Sequence, residues 1–202
     1  MAGQDRWVWS LCPSGEFNVA SIKNIAATFG RTAPVYPFFW NNFVPKKVGI
    51  VSWRAVMERL PTRNALAARN IDIGDPSCPF CGEYAETCDH IFVSCHFAQV
   101  IWLVIAQWCN IQPVIAFSLK DLLDAHVVMA GSKKRKKVFS AIFQVVIWSI
   151  WKMRNAVVFG NEYPNISKVV EESKSMSFLW IKHRTNSLDW TWNEWKSFRF
   201  VM

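Results

Sequence analysis

Acidic side chains are scarce in this 202-residue chain, 15 Asp and Glu against 23 Lys and Arg, and there are only four His and three Tyr. Long hydrophobic runs are missing too. The longest nearly unbroken one, Val138 to Trp151, holds Ser140, Gln144 and Ser149, and a membrane-crossing helix needs about 20 apolar residues. The first residues, Met-Ala-Gly-Gln-Asp-Arg-Trp, offer neither a basic n-region nor an apolar h-region, so no secretory signal is expected. The expected setting is intracellular, cytoplasmic or nuclear, and reducing. There the six cysteines read as thiols or metal ligands rather than as a disulfide framework. Aromatics are abundant instead. Twelve Trp and fifteen Phe in a 51% hydrophobic chain exclude disorder and exceed what a core of this size normally absorbs, so some of them are expected to meet a partner.

The formal charge of +8 is unevenly placed. Residues 131–202 hold thirteen Lys and Arg against five Asp and Glu, which leaves ten of each for residues 1–130. The whole excess lies in the second stretch, which points to a polyanionic partner or a targeting signal.

Apolar periodicity and punctuation predict a mainly α fold with a short N-terminal β-hairpin. The hairpin is expected from Trp7, Val8 and Trp9, a Pro13–Gly15 turn, and Phe17-Asn18-Val19. Ser21 would cap a helix that buries Ile22, Ile25, Ala26 and Phe29 and stops at Gly30. A second helix is predicted from Lys46 to Leu60 with a stripe of Val48, Val51, Ala55 and Val56, and a short one after Thr62. Ser94 would cap a helix that buries Ala98, Ile101, Trp102, Ile105 and Trp108. Further helices are expected over Leu119 to Val128, over Val138 to Phe159 as a central element, and from Asn165 to Arg184. The tail, with Trp190, Trp192, Trp195 and Phe198, mixes periods; it would pack under the last helix, hold another copy of the chain, or stack on unpaired bases. Two regions are drawn, 1–112 and a basic, Trp-rich helical extension over 113–202.

The chemistry concentrates between positions 78 and 95. Cys78-Pro79-Phe80-Cys81, then His90, then Cys95 gives C-x2-C-x8-H-x4-C. Two thiolates separated by two residues bind one ion from a tight turn, and Gly82 removes the Cβ that would crowd it. Three Cys and one His form a closed tetrahedral shell that holds one structural Zn2+ and leaves no position for a reacting water. Cys88 and His96 are the nearby alternatives, His96 the poorer because adjacent side chains diverge.

Around these ligands stand Trp40, Val44-Pro45-Lys46-Lys47-Val48, Ser52-Trp53-Arg54, Arg59-Leu60-Pro61-Thr62, Glu86-Thr87 and Ala98 to Trp102. In this order, over about residues 7–110, they resemble the reverse transcriptase zinc-binding domain of plant LINE-type retrotransposon polyproteins. The resemblance implies Cys78, Cys81, His90 and Cys95 as zinc ligands, and Ile147 to Asn155 looks like the helical extension that follows such domains. It does not bring polymerase activity with it. No strand-borne pair of carboxylates that would hold two Mg2+ ions, and no converging RNase H carboxylates, can be read in the chain. A non-catalytic role is expected, in a detached fragment or derived product of such a polyprotein.

Lys133, Lys134, Arg135, Lys136 and Lys137 are the candidate nucleic-acid contacts. Because cations are unfavourable at a helix N-terminus, the run is expected in a solvated loop, as a phosphate contact or an import signal. Cys12, Cys88 and Cys109 have no predictable base, and His126 reads as a core histidine, so nucleophilic catalysis has little support. Expected partners are the RNA or DNA backbone, with a reverse transcriptase or another protein as the second kind and no membrane. A protein-interaction module built on exposed aromatics and the long apolar helix is the alternative function.

Overall fold

Side-chain caps start most of the helices. In a computed structural model describing residues 8–10, 12–29, 36–129, 131–185 and 190–199, Thr62, Ser118, Ser132, Asn165 and Thr191 each accept a backbone N–H of the following first turn. These bonds satisfy donors the helix itself cannot. The helices are α1 (Val19–Phe29), α2 (Lys46–Val56), α3 (Arg63–Ala67), α4 (His96–Trp108), α5 (Leu119–Val128), α6 (Lys133–Gly160), α7 (Ile166–Arg184) and α8 (Trp192–Lys196), with one π-helical turn over His90–Ser94. The mainly α expectation holds.

The chain forms two units, residues 1–39 and 40–202. In the first, the expected hairpin is absent, and no strand occurs among the described residues. Trp9 N–H reaches the Gly15 carbonyl at 2.8 Å, but Asn18 then diverts the chain into α1. Its side chain accepts the Ser21 N–H at 2.8 Å, so Asn18 is the cap and Ser21 lies inside the helix. Trp7, the stop at Gly30 and the side chains of Ala26 and Phe29 lie outside the described residues.

In the second unit α6 is the central element, packed against α7, α5 and α2, while α4 packs on α7. Ile142, Phe143, Val146, Ile147 and Ile150 are buried along it, each such side chain contributing about 1.5–3 kcal/mol. By length and composition α6 would also suffice to cross a membrane, yet most of its apolar window is buried inside the protein. Residues on both sides of position 112 share this unit: Trp102 of α4 meets Phe143 of α6 edge to face at 5.5 Å, and Phe92 meets Trp151 at 6.4 Å.

Two expected helix boundaries and one buried stripe change. The second helix ends at Val56, four residues short of Leu60, because Glu58 turns left-handed at φ +52°. Arg59 N–H then bonds the Arg54 carbonyl and Glu58 N–H the Ala55 carbonyl, a Schellman closure. The buried stripe of α2 is Val48, Gly49, Ser52 and Ala55, so Val51 and Val56 lie at its margins. The third change is at α4, which begins after Cys95 rather than at Ser94, since the π turn occupies 90–94.

The tail is helical and inward-facing. Trp195 is wholly buried; its indole N–H donates to the Lys174 carbonyl at 3.0 Å, and its ring lies 5.5 Å from Trp108 and 6.1 Å from Phe178. Trp190 is buried as well. The base-stacking role considered for the tail is therefore not open to these two rings.

Candidate metal centre

Two local structures bring the four ligands together. Cys78 to Gly82 is a tight knuckle: Gly82 N–H bonds the Cys78 carbonyl at 2.8 Å, and Gly82 sits at φ +71°, a conformation that side-chain-bearing residues avoid. A single antiparallel bridge, Ser77 to Ala85, and the Cys78 N–H to Tyr84 carbonyl bond at 2.7 Å close the loop. The second structure is the π turn. Cys95 N–H reaches back five residues to the His90 carbonyl at 2.7 Å, and the wider turn brings His90 and Cys95 to the same side.

The result is a cluster of Cys78, Cys81, His90 and Cys95 whose ligand atoms all lie within 4.8 Å of one another. Cys78 Sγ and Cys95 Sγ are 3.9 Å apart, and Cys81 Sγ is 3.3 Å from His90 Nε2. Around a tetrahedral zinc, with Zn–S about 2.3 Å and Zn–N about 2.0 Å, ligand atoms stand about 3.5–3.8 Å apart. The spacing therefore fits one zinc ion. With Nε2 turned to the cluster, the other ring nitrogen lies 3.3 Å from Ser94 Oγ; with a metal on Nε2 it would donate its proton there, the outer-shell bond that sets a ligand imidazole's orientation. Thr87 Oγ1 accepts the His90 N–H at 3.0 Å.

Protonation agrees with this use. The Cys78–Cys95 hydrogen bond, followed by burial, pushes the Cys78 thiol up, and the same bond holds Cys95 below its ordinary value. Burial lowers His90 below the ordinary histidine value, which favours the neutral imidazole a metal needs. A divalent ion that binds there displaces the protons the sulfurs still carry. With three thiolates the loaded centre carries a formal charge of about −1 and gives a phosphate no positive field.

The alternatives fall away. His96 is exposed and outside the cluster. Cys88 is buried; burial first, then the charges of Glu58 and Asp89, push its thiol up to about 12, so it remains a thiol. Cys109 is likewise raised by burial, and His126 Nδ1 lies 2.6 Å from the Leu123 carbonyl in the interior, as a core histidine would.

The basic run sits elsewhere than expected. Lys133 to Lys137 form the start of α6, behind the Ser132 cap, rather than a loop. Lys136 Nζ donates to the Val127 carbonyl at 2.6 Å, Lys137 lies over the Phe43 ring at 4.4 Å and Arg135 over Phe139 at 5.5 Å. Of the five, only Lys133 is exposed; the other four are half-buried.

One supporting pair escaped the sequence reading. Glu86, wholly buried, holds Arg154 of α6 and also accepts the Arg63 N–H at 2.8 Å. Its backbone N–H bonds the Pro76 carbonyl, so this residue ties the knuckle to α3 and α6. The only signal was a Glu beside Thr87 and an Arg on an apolar helix, with nothing to link them.

Residues 17–102 match the family described as zinc-binding in reverse transcriptase. This segment is similar to reverse transcriptase zinc-binding domains. The matched residues include all four ligands, and such a domain is a zinc-binding rather than a catalytic part of its family. Over 167 residues the chain is 28% identical to a protein of Arabidopsis thaliana named putative ribonuclease H protein, a match covering 78% of this chain and 26% of that one. The chain thus spans about a quarter of the length of this curated relative. No solved structure matches.

Proposed function

We propose that the chain is a non-catalytic, zinc-stabilised module that associates with RNA or DNA through the phosphate backbone, in a reducing intracellular setting. The observation that carries this reading is the charge distribution, thirteen cations against five anions in residues 131–202, beside a metal centre whose closed shell suits folding rather than hydrolysis. In this reading any polymerase or nuclease chemistry of a longer relative belongs to parts with no counterpart here. A gel shift over a salt series tests it: phosphate contacts weaken steeply between about 50 and 200 mM salt. Retention that ignores salt, or no retention at all, removes the reading.

A second reading, protein interaction, is favoured by one observation. Ile115, Phe117 and Val128 are 83, 89 and 87% exposed, and apolar surface of this kind marks partner sites. Binding that survives high salt and is lost on Phe117→Ser would favour it.

A further inference from the structure

The start of α2 opens onto a pocket of about 420 Å3, lined by Trp40, Asn42, Lys46, Ile50 and Arg184 among others. Its aromatic wall is fixed. Trp40 lies so close to Gly49 that a Cβ there would stand 3.2 Å from the indole ring, and Trp53 is 6.4 Å away between centroids. Even so, Trp40 is 55% exposed. Two cations border it, Lys46 from the first residue of α2 and Arg184 from the last of α7. Both are exposed, and neither makes an ion pair among the described residues. Pro45 leaves the start of α2 without a side-chain cap, so the positive end of that helix adds to the same field. The basic run also borders this region: Asn41, in the pocket wall, donates to the Lys137 carbonyl at 2.8 Å.

An exposed, immobilised indole suits a flat π-system, and two exposed cations beside it suit an anion. One nucleotide of an unpaired strand brings both, a base and its phosphate, whereas a duplex keeps its bases stacked inside. We propose that this pocket seats one nucleotide of a single-stranded nucleic acid, its base on Trp40 and its phosphate between Lys46 and Arg184. The proposal rests on the nucleic-acid reading above and gives it a place.

The test measures fluorescence anisotropy of a labelled oligouridylate of about a dozen nucleotides, within the range of site sizes for single-strand binders, with a duplex of equal length alongside. The protein is the zinc-loaded full chain. Trp40→Ala is expected to weaken single-strand binding about tenfold, the size of one lost stack, and to leave duplex binding unchanged. Lys46→Gln and Arg184→Gln should each weaken single-strand binding and reduce the salt slope by about one. Both side chains are exposed, so zinc content and circular dichroism should match the wild type; if Trp40→Ala fails to fold, these two variants decide. Wild-type binding that none of the three variants changes overturns the pocket and leaves the broader reading standing. A wild-type chain that binds neither strand nor duplex overturns both.

Discussion

The Glu86 carboxylate and the Arg154 guanidinium meet as a two-pronged pair, Nε to Oε1 at 2.6 Å and Nη2 to Oε2 at 2.8 Å, with both side chains almost entirely shut off from water. The pair joins the metal-bearing loop to the central helix across 68 positions of sequence. Removing one partner strands the other charge in the interior, so Glu86→Ala is expected to cost about 3–5 kcal/mol. The double change Glu86→Leu with Arg154→Met should recover much of that loss, though not the bond from Arg63 N–H. Urea denaturation of the zinc-loaded chain checks both; a single variant as stable as wild type would contradict the role given to the pair.

One zinc per chain is the expected content of protein purified without chelator, measured by elemental mass spectrometry. Stripping the metal should free the 76–95 loop and open Phe80 and Tyr84 to chymotrypsin. Gly82→Ala forces a side chain into a left-handed turn, costing about 1–2 kcal/mol, and should weaken metal retention without altering the ligands. Equal protease resistance with and without metal would show that the ion does not hold this loop.

How far these features could be read beforehand depends on their range. The C-x2-C-x8-H-x4-C spacing is local, and Gly82 sits where the knuckle needs it, so the ligand set was legible. Thr62 and Asn165 announced their helices for the same reason. Lys133 to Lys137 misled because the cost of cations at a helix start was weighed alone. That cost is offset by the Ser132 cap and by Lys136 reaching the Val127 carbonyl at the end of α5, a contact that only the fold supplies. Glu86 with Arg154, and Trp40 with Arg184, join positions too distant in sequence for any periodicity to couple them.

Trp195 has no exposure and packs against Trp108, Phe178 and Phe198. Trp195→Ala should therefore destabilise by about 3–5 kcal/mol, whereas Trp192→Ala, at a half-buried site, should cost much less. Thermal unfolding of the two variants checks the order.

Acid should loosen the start of α5. Hydrogen bonding from the Ser118 hydroxyl, with help from the Phe117 and Ser118 backbone N–H groups, holds the exposed Asp121 carboxyl below the ordinary aspartate value. A depressed folded-state pKa adds stability above the unfolded value that is lost as pH falls through the folded one. The contribution should thus be complete at neutral pH and fade below the ordinary aspartate range. Asp121→Asn should flatten that part of the stability-against-pH curve; an unchanged acid limb would argue against it.

The Phe92–Trp151 and Trp102–Phe143 contacts set a practical condition. A recombinant fragment trimmed to the edge of the matched segment would keep every zinc-binding side chain, yet it would surrender the greasy wall on which the metal loop's inner side leans. Such a piece should clump or melt for reasons unrelated to its metal, and experiments on it would misjudge what the ion contributes.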